Sequence, residues 1–247
     1  MVIKKSFVII LIITIFSCTK NDTQVQYENL QFVKESPIAV PELSGLSFSK
    51  NKTAFYTVSD HTSMIYKLSL TGALIGVLDF KGDDLEGITV DPSTGDIYIV
   101  EERLRDVVKL NSEGRELKRY HLNIEENDDN SGLEGIAFNP DNNHLYILNE
   151  KNPGLLVEID NSGKIVNQTE LDFALDYSGI YYERSEKLLW IVSDQSSTVN
   201  KCKLDGEKIV SYKIPDKKAE GIIVDNVTKQ IYIVLDGADK LQIFSYK

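Results

Sequence analysis

The chain has 247 residues and carries 38 Asp and Glu against 27 Lys and Arg, for a net charge of −11. Such acidity argues against nucleic acid as a partner, because phosphate backbones are gripped by Lys and Arg, and it suits the binding of cations. The length fits one large all-β domain and gives no reason to divide the chain in two.

Residues 1–17 read as a lipoprotein signal peptide. Lys4 and Lys5 form a basic start, residues 7–16 are apolar, and the stretch is too short for an ordinary membrane-spanning helix. The ending Ile15-Phe16-Ser17-Cys18 resembles a bacterial lipobox, which implies cleavage before Cys18 and lipidation of its thiol, so that the protein is held on a lipid membrane. A plain signal or an uncleaved anchor is the alternative. Thr19 stands where an aspartate would retain a lipoprotein inside, and by resemblance to sorting rules this favours the outer membrane of a bacterial envelope. Loss of Lys4 and Lys5 takes the net charge from −11 to −13. With Cys18 lipidated, Cys202 is the one thiol left, no intramolecular disulfide can form, and stability must come from the core. Cys202 lies in the alternating stretch VNKCKL and reads as a packed or half-exposed strand residue. Residues 18–27 are the expected lipidated cysteine and flexible linker, and residues 28–247 one domain.

From residue 44 onward a two-part signal recurs five times. A hinge of Ser or Glu, Gly, then Leu or Ile stands at Ser44-Gly45-Leu46, Glu86-Gly87-Ile88, Glu134-Gly135-Ile136, Ser178-Gly179-Ile180 and Glu220-Gly221-Ile222. Fifteen residues after each glycine comes an acid, Asp60, Glu102, Glu150, Asp194 or Asp236, which closes an apolar run such as YIVEE or WIVSD. Steps of 42, 48, 44 and 42 residues between hinge glycines are those of a propeller in which each repeat is one four-stranded blade. The punctuation agrees. Polar turns such as DPSTGD and NPDNNH follow the first strand. The second strand begins at Tyr56, Tyr98, Tyr146, Trp190 or Tyr232, aromatics placed to pack between blades. A third strand alternates, and glycine turns at Gly72, Gly114, Gly163 and Gly206 lead to a more polar outer strand. The fifth repeat lacks its outer strand, and residues 29–34, NLQFVK, are the expected replacement, closing a five-bladed β-propeller with an N-terminal strand in the last blade.

In such a blade the start of the first strand and the end of the second meet at one face. Hinge residues and recurrent acids should therefore gather at one mouth of the channel, with Glu86, Glu134 and Glu220 toward the axis. Two carboxylates about 6 Å apart at an effective dielectric near 20 repel by about 3 kcal/mol. A cation must neutralise them or their pKa values must rise. Calcium is the expected ion, with magnesium or sodium as alternatives, because carboxylates and serine hydroxyls are hard oxygen ligands and no His or Cys cluster is present. The second group of acids, Asp60, Glu102, Glu150, Asp194 and Asp236, serves either the ion or the backbone N–H groups of neighbouring loops.

The segments ELSGL, DLEGI, GLEGIAF, YSGI and AEGI, with strands ending in SD, EE or NE, resemble the SdiA-regulated, YjiK-like family of bacterial propellers from about residue 42 to the end. The resemblance implies a five-bladed propeller with a calcium site, and a distant likeness to regucalcin-type and NHL propellers. Glu86, Glu134 and Glu220 match the hinge, whereas Ser44 and Ser178 depart from it. No catalytic constellation stands out. His61 is the one histidine expected at the carboxylate mouth, His121 and His144 lie elsewhere, and GxSxG and phosphate-binding loops are absent. The acidic run at residues 125–130 reads as a solvated loop near the same mouth, with a second, weak cation site as the alternative. The expectation is a monomeric, lipid-anchored calcium-binding propeller that takes a small-molecule or protein ligand. The alternative is a metal-dependent hydrolase of an ester, lactone or phosphoester.

Overall fold

The computed structural model describes residues 27–124 and 131–247. The signal peptide, Cys18, most of the linker and the acidic run at 125–130 lie outside the described residues. The chain starts with two short strands, β1 (Tyr27–Asn29) and β2 (Gln31–Pro37). Blade one is β3 (Leu43–Phe48), β4 (Phe55–Ser59), β5 (Met64–Leu68) and β6 (Leu74–Lys81), and blade two is β7 (Leu85–Val90), β8 (Ile97–Glu101), β9 (Asp106–Leu110) and β10 (Glu116–His121). Blade three holds β11 (Leu133–Asn139), β12 (His144–Asn149), β13 (Leu155–Ile159) and β14 (Ile165–Glu170). Blade four holds β15 (Ile180–Glu183), β16 (Leu188–Ser193), β17 (Thr198–Cys202) and β18 (Lys208–Lys213). Blade five has only β19 (Ala219–Asp225), β20 (Gln230–Leu235) and β21 (Lys240–Ser245) from its own repeat. The fold is a five-bladed β-propeller, and no helix occurs among the described residues.

The strands follow from the side-chain pattern. β4 and β8 are buried along their whole length, so each reads as a continuous run of apolar, β-branched and aromatic residues. β10 is mostly exposed and polar, as suits an outer edge, whereas β6, the outer strand of blade one, departs from the expected polar pattern and exposes Leu74, Ile75 and Val77. The glycine turns before the outer strands hold φ near +90° at Gly72, Gly114, Gly163 and Gly206, a conformation that side-chain-bearing residues rarely adopt. The core lies between blades. Tyr98 of blade two stacks on Phe138 of blade three with centroids 5.6 Å apart, Tyr146 on Tyr182 of blade four at 6.5 Å, and Tyr232 of blade five meets Phe55 of blade one at 5.3 Å. Cys202 is buried completely, and burial pushes its thiol up to about 12.

Ring closure occurs where it was expected. β2 pairs antiparallel with β21 as the fourth strand of blade five, with Phe32 opposite Phe244 and Glu35 opposite Gln242. β1 was not foreseen: it pairs in parallel with β18, so the first residues strap the outer edge of blade four before crossing to blade five. Phe32 is half exposed and meets Phe244 edge to face at 5.8 Å. Phe32→Ala is expected to cost about 1 kcal/mol in urea unfolding. An unchanged midpoint would mean that the closing strand stabilises through its backbone pairing alone.

Candidate metal centre at the channel mouth

Each inner strand enters the axis through a β-bulge at the hinge. The pairing register slips between Leu85 and Gly87, Leu133 and Ile136, Ala219 and Gly221, and Ser44 and Ser47. Blade four repeats this arrangement, since Ser178 N donates to Val192 O while Val192 N donates to Gly179 O. The extra residue breaks the strict alternation of side chains, as bulges do next to functional sites. That places all five hinge side chains, Ser44, Glu86, Glu134, Ser178 and Glu220, in the lining of one cavity of about 280 Å3. Beneath it the hinge glycines and the Leu or Ile after them narrow the channel to a void of about 10 Å3, the space of one water, so the cup has a floor.

Four of the five recurrent acids, Asp60, Glu150, Asp194 and Asp236, line the same cavity. Glu102 stands just outside its lining but joins two tight groups. One carboxylate oxygen each from Asp84, Glu86 and Glu102 lie within 4.8 Å of one another, and so do those of Glu102, Glu134 and Glu150. The closest grouping therefore lies on the side of blades two and three, and Glu220 is in neither group. Of the tandem Glu101 and Glu102, Glu101 turns away to accept from the Asp83 N–H and to pair with Arg119, which leaves Glu102 for the mouth.

Ser44 and Ser178 are 3% and 4% exposed, and neither hydroxyl has a hydrogen-bond partner of good geometry. Ser44 lies close enough to Glu86 to favour its ionised form, but short of a proper bond. The three hinge glutamates keep part of their surface open to the cup, yet protein surrounds their carboxyl groups on nearly all sides. Burial first, and then the facing carboxylates, push Glu86 and Glu134 well above the ordinary range. Burial and Asp194 push Glu220 up to about 8, with Lys218 opposing. Burial likewise raises Glu102 to about 7 and Asp60 to about 6.

These shifts fix a sign for pH dependence. Between the ordinary glutamate value of 4.5 and about 8, folded Glu220 holds a proton that the unfolded chain has released. Stability therefore falls as pH rises through that window, and below it both states carry the proton and no penalty applies. The chelator-treated protein is expected to unfold at a lower temperature at about pH 9 than at about pH 5, with Glu220→Gln flattening the decline. A midpoint that rises over this interval in both proteins would refute the assignment.

Some acids also build the loops. Glu102 Oε1 accepts from Gly132 N at 3.0 Å and Asp194 from Lys218 N, each reaching the next blade. Asp60 and Asp236 accept from the N–H of the following residue, and Glu150 pairs with Lys151 at 2.5 Å. Glu42, Asp176, Lys151 and Lys218 also line the cup and were not anticipated. A signal for three of them was present, because Glu42, Asp84, Gly132, Asp176 and Lys218 all stand two residues before a hinge. Asp176 is buried and accepts from Ser193 Oγ and Gln195 N. His61 is exposed, lies 3.8 Å from Glu42 and does not line the cup. His121 pairs with Asp106 and His144 with Glu158, both remote from it.

The donor set is all oxygen, and two buried serine hydroxyls are left without partners beside mutually repelling carboxylates. That fits a hard, oxygen-seeking cation.

Comparison with solved structures finds several proteins that resemble this chain in architecture. The glutaminyl cyclase of Myxococcus xanthus superposes with a TM-score of 0.68 at 14% identity, over 87% of this chain and 97% of its own. A gluconolactonase of Xanthomonas campestris gives a TM-score of 0.56 at 13% identity, over 90% and 96%. A streptogramin B lyase gives 0.55 at 18% identity, over 85% and 71%. At such identities the likeness is one of fold. A family model described as SdiA-regulated matches residues 19–238.

Proposed function

The chain belongs to the SdiA-regulated family, and on that premise we propose that it is a calcium-binding propeller held on the bacterial envelope by a lipid at Cys18, acting as a binding module. The observation that carries the cation is the pair of partnerless hydroxyls, Ser44 and Ser178, facing a cup with nine carboxylates and two lysines in its lining. Glu86 and Glu134, with Glu102 between them, would hold the ion, and Glu220 and the serines would complete the ring. Calcium suits such a site because it accepts six to eight oxygens in loose geometry, and five blades do not impose an octahedron. The bound ion would neutralise the repulsion between blades and present a positive centre to an incoming ligand.

Titration of the chelator-stripped protein with calcium tests this reading. A single saturable site is expected, weakened about ten-fold or more in Ser44→Ala with Ser178→Ala. Absence of calcium binding by the native chain would end the proposal. The anchor is tested separately. Metabolic labelling with palmitate should mark the native chain and not Cys18→Ala, and fractionation should then place the labelled protein in the outer membrane.

Hydrolysis of an ester, lactone or phosphoester is the second reading. It draws on carboxyl groups poised near neutrality, Asp60 at about 6 and Glu102 at about 7, values suited to proton transfer. A bound cation would polarise the substrate oxygen. No histidine lines the cup, which favours binding over catalysis. Turnover of any member of an ester and lactone panel, lost in Glu102→Gln, would reverse that order.

A further inference from the structure

The opposite mouth of the channel is the chemical reverse of the first. The inner strands of blades one to four end there, and with the turns that follow they enclose a cavity of about 270 Å3. Phe48, Phe138, Tyr181 and Tyr182 give it aromatic walls, and Pro92 and Pro140 stiffen its sides. Among the described residues no carboxylate lines it, in a chain whose net charge is −11. Its charged groups are Lys50, Lys52 and Arg184. Arg184 is committed to Asp141 at 2.8 Å. The two lysines are not committed in this way: Lys50 donates to the Thr94 carbonyl at 3.2 Å, Lys52 lies 5.1 Å from the centre of the Phe48 ring, and neither has an ion-pair partner among the described residues. Tyr181 adds a hydroxyl with no hydrogen bond to a described residue.

We propose that this second mouth binds a small apolar organic anion, an alkyl or aryl carboxylate whose hydrocarbon fills the aromatic cavity while Lys50 and Lys52 meet its charge. The void fits a small ligand, since sites for drug-sized molecules begin near about 300 Å3. Apolar walls supply the driving force and a few polar groups the orientation, which is how such sites divide the work. Charge complementarity selects the ligand's sign. An anion is attracted to the lysine rim, and the narrow waist keeps the two mouths apart. The site shares no residue with the candidate cation site, so either can fail without the other.

The test uses the full chain as the host processes it, with 8-anilinonaphthalene-1-sulfonate as the probe and octanoate or octanol as competitors. Octanoate is expected to displace the probe at one site per chain, about ten-fold better than octanol. Lys50→Glu with Lys52→Glu should weaken octanoate about ten-fold or more and leave octanol unchanged. Both lysines are exposed, so folding should survive. On the native protein, added salt should weaken octanoate alone. Amide shifts on octanoate binding should cluster at residues 47–52, 89–92, 138–140 and 181–184. Equal affinity for octanoate and octanol, indifference to the lysine reversal, or shifts centred on another surface would each overturn the proposal.

Discussion

Calcium at about a hundred times its dissociation constant is expected to raise the unfolding midpoint of the native protein by about 5 to 10 °C, because ligand bound only to the folded state adds about 2.7 kcal/mol and a chain of this size shifts by roughly 2 to 4 °C per kcal/mol. Chelator should reverse the shift. Glu86→Gln with Glu134→Gln should abolish it, since these two hinge carboxylates reach the Glu102 groups on either side. The same double variant carries a second, opposite signature. Without metal at about pH 8 it should be more stable than the native chain, because the glutamines remove two carboxyl groups whose ionisation burial and the facing carboxylates oppose in the folded state but not in the unfolded chain. A variant that merely damaged the fold would lose stability in both conditions. Identical midpoints for the native protein with calcium and with chelator would sink the cation reading.

The largest loss from a single methyl group is expected at the axis. The five hinge glycines form a closed ring in which each faces the hinge of the following blade, Gly45 against Glu86 and Ile88, Gly87 against Glu134, Gly135 against Ser178, Gly179 against Glu220, and Gly221 back against Gly45. A Cβ on Gly87 would lie 2.2 Å from the Glu134 carbonyl oxygen, and one on Gly221 2.5 Å from the Gly45 carbonyl carbon. These are backbone atoms locked in two sheets and cannot swing aside. Gly87→Ala should therefore cost about 3 kcal/mol or more, a fall of roughly 6 to 12 °C. It should also weaken calcium, because the displaced backbone carries the Glu134 carboxylate. Gly76→Ala is the control. Its Cβ would meet only the Lys67 Cβ at an ordinary 3.8 Å, and the change should be neutral or slightly stabilising. Similar losses at both positions would mean that axial crowding does not explain the glycines.

The cup also shows where sequence reasoning reaches and where it stops. The hinge and the acid fifteen residues later were legible because blade geometry brings the start of strand one and the end of strand two to the same face, whatever the side chains. Their gathering at one mouth needed nothing more than the repeat, although Glu102 stands just outside the cavity lining. The bulge was not legible, since a one-residue slip in pairing leaves no mark in a run of apolar letters, yet it sets the direction of every hinge side chain. Asp84 was overlooked although it recurs in register, because the residue two before the hinge varies from acid to glycine to lysine. Its role emerges only from its distance to Glu86 and Glu102. The strap formed by β1 was equally hidden, for the three residues Tyr27–Asn29, where the expected linker meets the domain, carry no strand signal until β18 presents an unpaired edge.

The all-β class, the five blades, the closing strand at the N-terminus and the acids at one mouth are all readable from the residues alone, because they follow from periodicity and from which strand lacked a partner. The packed blades add which acids lie within ligand distance of one another, that two serines are left buried without partners, and that the opposite mouth is apolar and rimmed by lysine. Those properties depend on distances between residues some forty positions apart in different blades, and such distances are set by how the five sheets crowd around the axis.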